Sequence, residues 1–181
     1  MDKATILATV NSRTHRSETS IDAFLLKALR EIARRTLILK TSTTGSTVSG
    51  QKYIAKPSDM VGDVAFNLVI DDSQVFPISW DAFLRDEDGY CVYGDNIYIY
   101  PTPTGKTYTL YYPKEHPTDL STILIPDDYE MAVEHYVASK IYEKYELSDK
   151  MGEQLTLFEN EIAKLSTHKR MPPVCFPHKG V

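Results

Sequence analysis

One stretch constrains the fold more than any other: residues 94–112, Gly-Asp-Asn-Ile-Tyr-Ile-Tyr-Pro-Thr-Pro-Thr-Gly-Lys-Thr-Tyr-Thr-Leu-Tyr-Tyr. It alternates residue by residue. Ile97 and Ile99 share one face, and Tyr98 and Tyr100 the other. Further on, Tyr108, Leu110 and Tyr112 share a face, opposite Thr107, Thr109 and Tyr111. A period of two in β-branched and aromatic residues is a strand signal. Pro101 and Pro103 cannot donate to a ladder and Gly105 tolerates positive φ, so residues 101–106 read as a hairpin loop. Gly94-Asp95 reads as a tight turn after a strand at 90–93. The expectation is a three-stranded meander. Neither face is strongly polar, so both faces should be covered.

The segments before this sheet lead into it. Residues 3–14 carry Ile6, Leu7 and Val10 at helical spacing. From Ile21 to Ala33 an apolar stripe of period 3.6 predicts an amphipathic helix over 21–36. Arg34 and Arg35 stand near its C-terminus, where cations suit the dipole. Residues 41–49, nearly all Thr and Ser around Gly45, read as strands about a loop, and 51–54 as a short strand. Ser58 or Asp59 is placed to cap a helical turn at Met60 and Val61. Val64, Phe66, Leu68 and Ile70 alternate along a strand, Asp71-Asp72-Ser73 turns the chain, and Pro77 marks the return strand as an edge. A helical turn at 79–84 would lay Trp80 and Phe83 on the sheet.

The segments after it lead into helices. Asp127 and Glu130 form a capping-box pattern, and Tyr129, Val133, Tyr136, Val137, Ile141 and Tyr145 supply the stripe of one helix. Ser148 or Asp149 would cap the next. Met151, Leu155, Phe158, Ile162 and Leu165 recur at four-three spacing, the seam of two antiparallel helices. Regular structure is expected to end at Thr167, before a basic, proline-rich tail. The fold class is therefore α+β: helices of a small bundle at 1–37, an antiparallel β domain inserted at 38–118, a helical hairpin at 119–166 and an extended tail at 167–181.

Charge is uneven. Residues 1–56 are net +6, residues 57–160 net −14 and residues 161–181 net +3. Opposite poles suit ordered packing between copies or against partners. No apolar run approaches the ~20 residues of a membrane span, and residues 1–11 lack the features of a signal peptide. Cys91 and Cys175, far apart, read as free thiols of a reducing compartment.

No catalytic motif is present: no Gly-x-Ser-x-Gly, phosphate loop, Gly-x-Gly-x-x-Gly or His-Glu-x-x-His. The five histidines are scattered, and His135 reads as a packed or surface residue. Asp86, Asp88 and Gly89 match too little of a calcium loop to bind the ion. The twelve tyrosines sit in an acidic region that disfavours a nucleic-acid backbone. They read as core and interface aromatics. No cofactor and no metal is expected, and no enzyme activity.

The order of elements resembles the head-to-tail connector, or adaptor, proteins of tailed bacteriophages. The features that carry it are the helix over 21–36, then Tyr53-Ile54-Ala55-Lys56-Pro57-Ser58-Asp59, Ile97-Tyr98-Ile99-Tyr100-Pro101-Thr102-Pro103 and Leu110-Tyr111-Tyr112. Ile125-Pro126-Asp127-Asp128-Tyr129 follows, opening an Ala- and Tyr-rich helix. The resemblance implies a structural role in the virion neck after assembly in the host cytoplasm. It implies a ring of about twelve copies beneath the portal protein, closed by head-to-tail contacts. The ring would lengthen the DNA channel, let the genome pass without sequence-specific binding, and offer a docking surface to tail or tail-completion proteins. It implies no membrane association.

Candidate interface aromatics are Tyr98, Tyr100 and Tyr136. The candidate partner-binding tail offers the apolar anchors Met171, Pro172, Pro173, Val174 and Phe176 with the cations Lys169, Arg170 and Lys179. Two other readings stay open. One is a different virion protein, such as a tail terminator or baseplate component. The other is a sugar-binding or hydrolytic module using the tyrosines and the acidic residues 86–95.

Overall fold

A computed structural model describes residues 1–168. The chain forms two compact units, one of residues 1–28 with the segment from Leu120 onward, the other of residues 29–119. Helix α2 (Asp22–Thr36) begins in the first and ends in the second.

The first unit is helical. In α1 (Lys3–Thr14), the Asp2 carboxylate accepts from the Thr5 N–H at 3.0 Å, a side-chain N-cap that satisfies one orphan donor. A single 3-10 turn at Asp127–Tyr129 runs into α4 (Glu130–Lys144), and α5 (Ser148–His168) follows after three residues. α4 packs against both α1 and α5. The pairs His135–Gln154, Tyr136–Phe158 and Tyr142–Lys150 show that α4 and α5 run antiparallel, as the short link requires. Val133, Val137, Ile141, Phe158 and Ile162 are buried along the expected stripes. Tyr145, expected in the stripe, is exposed and packs under the Arg16 guanidinium at 4.3 Å.

Three local expectations fail in this unit. Asp127 caps nothing; its carboxylate takes the chain's amino terminus instead, and Pro126 stands at the cap position without a side-chain bond. Helix α5 starts at Ser148 itself, so Ser148 is inside the helix rather than before it. Its far end runs through Thr167 and His168, past the expected stop.

The second unit holds seven antiparallel strands in two sheets. Strands β1 (Lys40–Ser46), β7 (Thr107–Pro113), β3 (Asn67–Ile70) and β4 (Ser73–Val75) lie side by side in that order. β2 (Tyr53–Ala55), β6 (Asn96–Tyr100) and β5 (Gly89–Tyr93) form the second sheet. The sheets share one core. Ile54, Ile97, Ile99 and Tyr90 from the smaller sheet meet Leu68, Leu110 and Tyr112 from the larger, with Met60 among them.

The meander is therefore corrected. β5 and β6 pair through the Gly94-Asp95 turn, with Tyr93 opposite Asn96. β7 then leaves for the other sheet, where it pairs β1 on one side and β3 on the other. Residues 101–106 cross between sheets and do not close a hairpin. The chain needs both apolar faces covered, and crossing lets the Ile97/Ile99 face and the Leu110/Tyr112 face cover each other.

Other expectations in this unit shift in detail. Of residues 41–49, 41–46 belong to the single strand β1, which carries Gly45 inside it rather than in a loop; Tyr108 lies where a Gly45 Cβ would stand. Met60 forms a bridge to Lys114 rather than a helical turn, and Asp59 accepts from the Tyr112 hydroxyl at 3.0 Å. Val64 and Phe66 precede the strand and are exposed; only Leu68 of that alternation is fully buried. The Asp71-Asp72 turn is as expected, with φ of 45° and 65° at its two residues, the primed geometry of two-residue hairpins.

Candidate assembly surfaces

The smaller sheet carries an aromatic cluster on the face away from the core. Ser79 caps α3 (Trp80–Leu84) by accepting the Ala82 N–H at 3.1 Å, and the cap sets Trp80 and Phe83 on the sheet. Trp80 stacks on Tyr93 with ring centres 4.3 Å apart, and Tyr98 meets Trp80 edge-on at 5.1 Å. Phe83 and Tyr53 flank Tyr98 at 5.4 and 5.7 Å. Such offset and edge contacts each add ~1 kcal/mol to area burial. Tyr98 is thus half-buried at the centre of the cluster, while Tyr53, Tyr93 and Leu84 form an exposed rim. Apolar centres with exposed aromatic rims suit protein contact.

Tyr100 lies elsewhere. With Val75, Phe76, Pro101 and Pro103 it lines an open apolar cavity of about 430 Å³. Phe76, 65% exposed, is the most open large aromatic there. Tyr136, in the helical unit, meets Phe158 edge-on at 5.2 Å beneath Lys140. It is a half-buried part of the α4–α5 pairing. The three tyrosines named from sequence therefore fall on three separate surfaces. The tail residues Lys169, Arg170, Met171, Pro172, Pro173, Val174, Phe176 and Lys179 lie outside the described residues, as does Cys175. Cys91 is buried with its thiol pushed up by desolvation.

Polar groups are engaged structurally. His135 is packed: its Nδ1 lies 3.1 Å from the Arg13 guanidinium and 2.9 Å from Gln154 Oε1, and Arg13 also holds the buried Glu134 at 2.8 Å. Arg34 donates twice to Glu115, which holds its guanidinium pKa above the ordinary value, and Arg35 pairs with Glu31 one turn back. Both arginines stand in the last turn of α2, as expected, and are also held by these pairings. Burial first and the bond to Asp59 second push the Tyr112 hydroxyl up to about 12. Burial pulls the His116 imidazole below its ordinary value. Among the described residues no group of His, Cys, Asp and Glu is arranged to hold a metal ion, and no helix is long and apolar enough to cross a membrane.

The sequence of residues 1–175 matches the family model described as SU10 adaptor protein. The chain belongs to that family. It is a structural adaptor of a bacteriophage and a component that works with other virion proteins. No curated protein sequence matches it. Sequence reasoning laid Trp80 and Phe83 on the sheet but missed Tyr93, the β5 ring on which Trp80 stacks. The Ser79 side chain, three residues before Ala82, was a further signal, since its cap fixes where Trp80 points.

Proposed function

We propose that this adaptor forms a homo-oligomeric ring at the head-to-tail junction, beneath the portal protein. The ring has about twelve copies, extends the DNA channel and passes the genome without reading its sequence; its closure demands a head-to-tail interface between unlike patches. The observation that best supports an interface is the aromatic cluster around Tyr98, whose exposed Tyr53, Tyr93 and Leu84 would be left in water by a solitary chain. The tail anchors, with Lys169, Arg170 and Lys179, suit docking against an acidic neighbour in the neck. Tail-completion proteins would dock on the finished ring.

Native mass spectrometry of the chain alone and with portal tests this. The expected result is a closed oligomer or a portal-bound ring, and its loss in Tyr93→Ala while the free chain stays folded and loses only the ~1 kcal/mol of the Trp80 stack. Removing residues 169–181 is expected to abolish attachment to portal-containing heads. A chain that stays monomeric beside portal and binds oligosaccharide would sink the reading in favour of a carbohydrate module.

A further inference from the structure

Strand β1 has one neighbour, β7, and its other side is a sheet rim. The phase of its ladder follows from bonds just beyond its ends. The Lys114 N–H donates to the Leu39 carbonyl, and the Thr47 N–H donates to the Lys106 carbonyl, at 2.8 Å each. With Lys40 opposite Pro113 and Ser46 opposite Thr107, the odd-numbered residues spend their backbone groups on β7. The even-numbered ones turn theirs outward. Lys40, Ser42, Thr44 and Ser46 thus present a row of N–H and C=O groups at the rim, and all four residues are exposed. The strand has no proline and no bulge over its seven residues, and Lys40 is its only charge.

The other rims are shorter or occupied. β2 has three residues flanked by Lys52 and Lys56, the kind of charge that blunts an edge. Beyond β4 the chain continues into Phe76 and Ile78, whose backbone groups bond both sides of Tyr90 at 2.9 and 2.8 Å. β1 alone among the described strands offers a long open edge, and such an edge specifies an extended chain.

Residues 169–181 supply a matching segment. Pro173 and Pro177 have one parity; Val174, Phe176 and His178 have the other. In an extended segment, the three N–H groups of Val174, Phe176 and His178 face one side. Both proline nitrogens face the opposite side, where no donor is needed. Prolines there would also stop further strands from adding. Residues 173–178 and 41–46 hold no Lys, Arg, Asp or Glu, so pairing them desolvates no fixed charge. A six-residue strand spans ~20 Å, and residues 169–172 remain as tether.

We propose that residues 173–178 of one adaptor copy add as an antiparallel outer strand to β1 of the neighbouring copy. Each copy gives one strand and receives one, a head-to-tail contact that can close a ring. The proposal rests on the ring reading.

The test uses full-length chains carrying Thr41→Cys or Thr43→Cys, assembled into particles and mildly oxidised. Odd-numbered β1 residues lie opposite Cys175 at non-hydrogen-bonded positions, where Cα atoms ~4.5–5.5 Å apart suit a disulfide. The expected result is a ladder of covalent multimers that Cys175→Ser abolishes. A second variant, Thr44→Pro, removes an outward N–H while sparing the bonds to β7. It should leave the melting temperature of the free chain nearly unchanged and lower ring assembly about tenfold. Rings that form with no cross-link at either position and tolerate Thr44→Pro overturn this proposal and spare the ring. A covalent dimer that survives Cys175→Ser overturns it in favour of β1 pairing with β1 of another copy, since one thiol per chain can link only two chains. Particles that lack any ring overturn both readings.

Discussion

The helical unit and the β unit teach different things about how sequence becomes structure. In the helical unit, each stripe is written within one stretch of chain, and α4 and α5 are consecutive partners, although α1 meets α4 from far along the chain. α4 and α5 need only three residues between them. In the β unit the alternation is as clear, but beyond the β3–β4 and β5–β6 hairpins pairing is not local. β1 binds β7 across more than sixty residues, while β6 and β7, seven residues apart, do not pair at all. Period reports which face is apolar. It does not report which strand lies alongside.

The largest expected effects come from the two cores. Leu110→Ala should cost about 2–5 kcal/mol and Phe158→Ala about 3–5 kcal/mol, since both side chains are essentially fully buried. Calorimetry of the two variants sharpens the contrast if each shifts a different transition. A single transition moved equally by both would break it, because the units would then unfold as one.

Gly89→Ala probes the β unit alone. Gly89 has φ 153°, and a Cβ there would stand 2.6 Å from both the Phe76 carbonyl oxygen and Ile78 Cγ2. The backbone oxygen cannot turn aside, so a loss of about 2–3 kcal/mol in chemical denaturation is expected. A neutral result would mean that the residue 76–78 crossing to β5 is loosely held.

The third prediction uses pH. Tyr112 has its hydroxyl pKa raised in the folded chain to about 12, from an ordinary value of 10. A raised pKa favours the protonated form in the fold. The stabilisation is fully present below pH 10 and is lost as pH rises from 10 to 12. Against Tyr112→Phe, the natural chain should lose about 2 kcal/mol more across that window. Parallel denaturation curves would contradict the buried hydroxyl. The smallest effect is expected at Asp72, whose φ of 65° suits glycine. Asp72→Gly should gain about 0.5 kcal/mol, read as a small rise in melting temperature.

Legibility followed the same divide. The stripes of α2, α4 and α5, the helical turn at 79–84 and the two tight turns were readable because each depends on residues within one or two turns of chain. The capping box at Asp127 and Glu130 was not, because a distant group, the amino terminus, took Asp127. The meander failed for a related reason: Pro101 and Pro103 announced a break without saying whether the chain turned back or crossed. Among the candidate site residues, Tyr98 was found through its parity with Ile97 and Ile99. Trp80 and Tyr93, on other elements, join it only in three dimensions.

The division of the chain also sets an order in time. α1 leaves the ribosome well before α4, the helix it packs against, which lies more than a hundred residues downstream. At ~5–20 residues per second, α1 waits roughly ten seconds for its partner. All seven strands, from Lys40 to Pro113, are made within that interval. The β unit can therefore close its core while the helical unit is still incomplete, which leaves a nascent adaptor free to fold from its middle outward.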